Sequence, residues 1–109
     1  MSSDDVQLLL ATHRGNDAAA RALWVRFAPD LLRFACGLLR DQAAAEDVVQ
    51  TVFCRVLECR RSALAQVVDV RAWLVRLTRN AAISHARAGT RRRRREQDRT
   101  TSVWTPGLT

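Results

Sequence analysis

Apolar residues recur at intervals of three and four along most of this chain, and that spacing admits little besides α-helix. The clearest stripe is Ala20, Leu23, Trp24, Phe27, Leu31, Phe34, Ala35 and Leu38. Helix breakers are scarce. Among 109 residues there are 2 Pro and 4 Gly, and three of those six stand at or beyond Gly89. Almost no strand pattern competes. With 48% hydrophobic residues the chain carries enough apolar surface to fold, and its length suits one small domain with a modest core. The expected fold class is all-α. A compact bundle of four or five helices should occupy residues 1–95, with a flexible linker or tail at 96–109.

Local punctuation places the elements. A first helix is expected from Ser3 to Arg14, with Val6, Leu9, Leu10 and His13 on one face. Gly15 is its natural stop, and Asn16 or Asp17 caps the next helix. That second helix should run from Asp17 to Arg40. Pro29 interrupts it, yet the stripe keeps its phase, so a kink or two nearly collinear helices are expected, not a reversal. Arg26, Arg33 and Arg40 mark its outer face.

The third helix is expected from Ala43 to Cys59. Glu46 and Asp47 would fall in its first turn, where the helix dipole favours anions. Ala45, Val49, Val52, Phe53 and Val56 should point inward, and Asp47, Gln50, Thr51, Cys54 and Glu58 outward. Arg60 to Val68 reads as a connecting loop. Asp69 caps a fourth helix, Val70 to Ala88, closed by Gly89. Val68 and Trp73 sit at the two positions of a hydrophobic staple. Val70, Trp73, Leu74, Leu77 and Ala81 should face the core, and Arg76, Arg79, Asn80, Ile83 and Arg87 the other way. Arg91 to Arg95 then repel one another, so this run should fray without a partner.

Charge is distributed unevenly. Net charge is +7, and every Lys or Arg position is Arg. Residues 1–70 hold 8 Arg against 9 acids, whereas residues 71–99 hold 10 Arg against 2 acids. A positive field confined to one segment is the footprint of a protein that meets a polyanion. Other classes find no support. Cys36, Cys54 and Cys59 are odd in number, lack a Cys-x-x-Cys pair and have no histidine near in sequence. Neither a disulfide framework nor a metal site is expected, and Cys36 belongs to an apolar face. No nucleophile–base arrangement, glycine-rich phosphate loop or paired carboxylate is legible, so no enzyme and no cofactor are expected. The acidic start, Met1 to Asp5, does not resemble a secretory signal, and no apolar run approaches a membrane span. A cytoplasmic protein without membrane insertion is expected.

Order and spacing carry one further reading. Leu23-Trp24-Val25-Arg26-Phe27-Ala28-Pro29 leads to Ala45-Glu46-Asp47-Val48-Val49-Gln50 and Val52-Phe53, then to Trp73-Leu74, Asn80 and a closing arginine cluster. This pattern, over roughly residues 5–95, resembles region 2 of an extracytoplasmic-function (ECF) sigma factor of the sigma-70 family. The resemblance implies a helical domain that works within RNA polymerase holoenzyme. Its third helix would dock on the β′ clamp helices through Asp47, Gln50, Thr51 and Cys54. Its loop would supply Arg61, Leu64 and Val67 to a pocket for a flipped base of the non-template strand of the promoter −10 element. Arg76, Arg79, Asn80 and Arg87 would meet that strand, and Arg91, Arg92 and Arg93 would add phosphate contacts. An anti-sigma factor is a further implied partner. The chain departs from the family pattern at Thr51, where Glu is common, and at Ser84, where Asp is common. No second helical domain for the −35 element follows, which suggests an excised domain.

Several residues keep two readings at this stage. Asp47 and Gln50 suit a solvated helix start as well as a polymerase contact. Asn80 can pair with local backbone or with a base edge. Leu64, Val67 and Val68 can pack beneath the loop or line a base pocket. Trp24 and Trp73 lie on apolar stripes and read as core. The arginines fit a solvated face, but their density favours a phosphate track. Three functions compete: promoter −10 recognition and melting, an interaction module that binds an anti-sigma factor or competes for the clamp, and a non-specific nucleic-acid binder driven by its arginine run.

Overall fold

Five helices follow one another in the computed structural model: α1 Ser2–His13, α2 Asp17–Leu39, α3 Gln42–Glu58, α4 Arg61–Ala65 and α5 Val70–Leu108. The structure describes the backbone of residues 2–108 and the side chains of residues 4–90, and it contains no strand among them.

The first two turns of the chain are set by single residues. Gly15 takes φ 94°, a left-handed conformation open to glycine at little cost. Its N–H donates to the Thr12 carbonyl at 3.0 Å, and the Asn16 N–H donates to the Ala11 carbonyl at 3.1 Å. This pair of bonds is the Schellman arrangement, which satisfies the last carbonyls of α1. The Asn16 side chain then accepts the Ala19 N–H at 3.0 Å and starts α2. At the far end of α2, Arg40 adopts φ 53°, and its N–H bonds the Cys36 carbonyl. Asp41 follows at once and accepts the Ala44 N–H at 3.2 Å, so α3 begins directly after the reversal.

Pro29 stands inside α2 without dividing it. Proline cannot donate to the carbonyl four residues earlier, here Val25. Both residues are exposed, so water can serve the orphaned carbonyl. The apolar stripe therefore continues in phase, and Leu23, Phe27, Leu31 and Ala35 are all buried.

Some sequence expectations need correction. α3 starts at Gln42, and its first turn carries no acid, so Glu46 and Asp47 lie one turn deeper than expected. The anticipated loop contains a helix, α4, because Leu64 is 0% exposed and anchors this segment beside α1. Val68 is 77% exposed and forms no buried staple, whereas neighbouring Val67 packs on the core. Trp24 is 37% exposed, an edge residue whose ring lies 4.8 Å from that of Phe53. Cys36 is only half-buried, at the margin of the core.

α5 buries Val70, Leu74, Thr78 and Ala82, while Trp73, Leu77 and Ala81 flank that line half-buried. Thr78 escaped the sequence reading because it is polar. Its hydroxyl donates to the Leu74 carbonyl at 2.8 Å, which hides the polar atom inside the helix. The stop expected at Gly89 is also absent, since the helix runs on to Leu108. One glycine costs a helix about 1 kcal/mol relative to alanine, and the alanines and arginines around it favour continuation.

Interhelix links tie the bundle together. The His13 Nε2–H donates to the Cys59 carbonyl at 2.6 Å, joining α1 to the end of α3. Arg26 pairs with Asp5 at 2.7 Å. Asp30 pairs with both Arg33 and Arg71, linking α2 to α5. The guanidinium carbons of Arg26 and Arg71 each lie 5.3 Å from the centroid of the buried Phe27 ring.

Candidate functional site

α3 presents its outer face because its inner face is fully committed. Ala45, Val49, Val52 and Val56 are buried. At about 100° per residue, Asp47, Gln50, Thr51, Cys54 and Glu58 fall on the opposite side, and all five are exposed. Asp47, Gln50, Thr51 and Cys54 line one groove of about 840 Å³ with Arg55, Glu58, Cys59 and Leu77. The four residues expected to meet a partner are therefore contiguous. Asp47 is not a first-turn residue, so a favourable helix dipole gives no account of its placement. Thr51 donates its hydroxyl to the Asp47 carbonyl at 2.9 Å.

The same logic orients α5. Val70, Leu74, Thr78 and Ala82 point inward, which leaves Arg76, Arg79, Asn80 and Arg87 exposed on the far side. Ile83 lies among them, half-buried. None of these three arginines forms an ion pair among the described residues, whereas Arg26, Arg33 and Arg71 do. The side chains of Arg91, Arg92 and Arg93 lie outside the described ones. Arg33 and Arg71 together hold the Asp30 carboxyl below its ordinary value, chiefly through the hydrogen bond from Arg71.

A hollow of about 380 Å³ lies where the α4–α5 turn meets α5. Its wall includes Gln66, Val67, Val68, Asp69, Trp73 and Arg76. Val67 lines it. Leu64 does not, because it is spent in the core, and Arg61 is exposed outside the wall. Gln66 and Trp73 were missed as wall residues. Trp73 follows the Asp69 cap by one turn, which was the available signal that it looks back toward the loop.

No group of three His, Cys, Asp or Glu among the described residues could hold a metal ion. No described helix is long and apolar enough to cross a membrane.

Residues 23–94 match the sigma-70 region 2 family. The chain belongs to that family. The chain is 32% identical over 77 residues to the probable ECF RNA polymerase sigma factor SigI of Mycobacterium tuberculosis, strains CDC 1551 / Oshkosh and ATCC 25618 / H37Rv. The match covers 71% of this chain and 26% of that factor, about a quarter of the relative's length. No solved structure matches the chain. The family match includes the outer face of α3, the hollow and the arginine face of α5, so all three surfaces belong to region 2.

Proposed function

We propose that this chain acts in transcription initiation, recognising and helping to melt the promoter −10 element within RNA polymerase holoenzyme. The observation that carries this reading is the opposition of two chemistries on one small bundle. A carboxylate–amide groove lies on α3, and guanidinium groups that form no ion pair among the described residues lie with an amide on α5.

In this reading Asp47, Gln50, Thr51 and Cys54 meet the β′ clamp helices. Arg76, Arg79 and Arg87 hold phosphates of the non-template strand, and Asn80 hydrogen-bonds a base edge. The hollow walled by Val67, Trp73 and Arg76 receives an extruded base. Unstacking a base costs a few kcal/mol, which apolar and aromatic contacts in such a hollow offset. Arg61 and the run from Arg91 to Arg93 add contacts that do not depend on sequence. Residues 1–95 form the working domain and 96–109 a tail.

The test is transcription from a −10-containing promoter by core polymerase with the chain added. Specific initiation supports the proposal. Asn80→Ala should reduce discrimination between −10 sequences more than total affinity, measured as competition between matched and mutated promoters. A uniform loss across sequences would demote Asn80 to a phosphate or structural role. Binding to polymerase without any initiation would instead favour an interaction module that occupies the clamp or an anti-sigma factor.

A further inference from the structure

A second hollow, of about 270 Å³, lies in the seam between α3 and α5 and shares Thr51 and Arg55 with the α3 groove. Val48 and Ala81 form its apolar floor, and Thr51, Arg55, Ser84 and His85 form its rim. The rim holds no carboxylate. Arg55 makes no ion pair among the described residues, although Asp47 and Glu58 share the neighbouring α3 groove with it. Thr51 has already donated its proton to the Asp47 carbonyl and offers only lone pairs. The remaining polar groups can all donate: a guanidinium from α3, and a hydroxyl and an imidazole from α5.

We infer that Arg55, Ser84 and His85 form a binding site for one phosphate group. Groups able to donate, from two helices, line one small hollow, and a tetrahedral oxyanion has enough acceptor oxygens for all three. Arginine adds a fork suited to phosphate oxygens. The volume lies below the usual range of about 300–1,000 Å³ for small-molecule pockets, so it fits a phosphate group better than an entire nucleotide. Ser84 is also one turn beyond Asn80 and about 40° around α5 from it. A strand lying on the arginine face could therefore pass its next phosphate into this seam. The same chemistry would accept the phosphate of a small metabolite. The strand-phosphate source rests on the transcriptional reading, whereas the free-phosphate source does not.

Ser84→Asp tests it, because a carboxylate there would pair with Arg55 and repel an anion. Ser84 is exposed, so the variant should melt as the wild type does. Arg55→Gln gives a second, independent readout from α3. Binding of a fluorescent single-stranded oligonucleotide to the full chain is measured over a salt series. Inorganic phosphate is titrated in parallel against the amide NMR signals of Ser84 and His85. If the ligand is a strand phosphate, Ser84→Asp lowers oligonucleotide affinity about tenfold. The slope of log affinity against log salt then falls by about 0.7. If the source is a free phosphate compound, oligonucleotide binding is unchanged, but inorganic phosphate shifts the wild-type signals saturably and leaves those of Ser84→Asp in place. Unchanged behaviour of both variants in both titrations would overturn the site. Loss of oligonucleotide binding in Arg76→Gln alone would leave the arginine face of α5 standing without it.

Discussion

Asp47 and Leu64 show how far a residue type reveals its task. Asp47 projects from a helix whose opposite side is wholly buried, so nothing within the fold requires a carboxylate there. Asp47→Arg should leave the circular dichroism spectrum and melting temperature near wild type. It should weaken binding to core polymerase on the order of tenfold or more, because it sets a like charge or an unpaired one at the contact. Unchanged affinity in a core-binding assay would remove Asp47 from the interface. Leu64 is the reverse case. From sequence it could line a pocket or pack beneath the loop, and the fold settles the choice by burying it completely. Leu64→Ala should cost about 2–5 kcal/mol in urea unfolding, through lost burial and a residual cavity. A change below about 0.5 kcal/mol would show that α4 is not anchored as described.

The helices were legible wherever an apolar stripe and a cap agreed. Asn16, Asp41 and Asp69 each accept a backbone N–H three residues on, and three helices start within a residue of where such side chains point. Legibility failed where a short segment had one apolar anchor and no period. α4 has five residues, too few to display a stripe, and its start at Arg60 has no side-chain cap. Gly89 misled in the other direction, since a glycine ends a helix only when the backbone turns left-handed at it, as at Gly15. Arg40 does turn left-handed, though it is not a glycine. A side chain in that region costs about 1–2 kcal/mol, partly offset by the unfolded-state entropy of its glycine replacement. Arg40→Gly should therefore stabilise the protein by about 0.5–1 kcal/mol in urea unfolding. Destabilisation would mean that the Arg40 side chain contributes contacts of its own.

Across the whole molecule the extents are 65 × 25 × 22 Å, and the long dimension is of the order of α5 itself, about 58 Å for 39 residues at 1.5 Å each. The ion pairs divide the arginines into two groups. Arg26, Arg33 and Arg71 brace α1, α2 and α5, while Arg76, Arg79 and Arg87 are exposed and form no ion pair among the described residues. Asp30 is the hub of the first group, and its carboxyl is held below the ordinary value by Arg71 and Arg33. A depressed carboxyl contributes stability above its unfolded-state value and loses it as pH falls through the folded-state one. Relative to wild type, Asp30→Asn should therefore be less stable at neutral pH and should close that gap on acidification. Melting temperatures across an acid series would check this, and a gap independent of pH would count against the Asp30 pairs. The sequence alone determined the helical class, the inward stripes and the concentration of positive charge toward the end, because periodicity and composition are local properties. Only the tertiary structure decided which polar residues share a hollow, which arginines are already paired, and that Leu64 lies inside. Those outcomes depend on residues far apart in the chain, such as Asp30 with Arg71 and Arg55 with Ser84, and no spacing along one helix encodes their meeting.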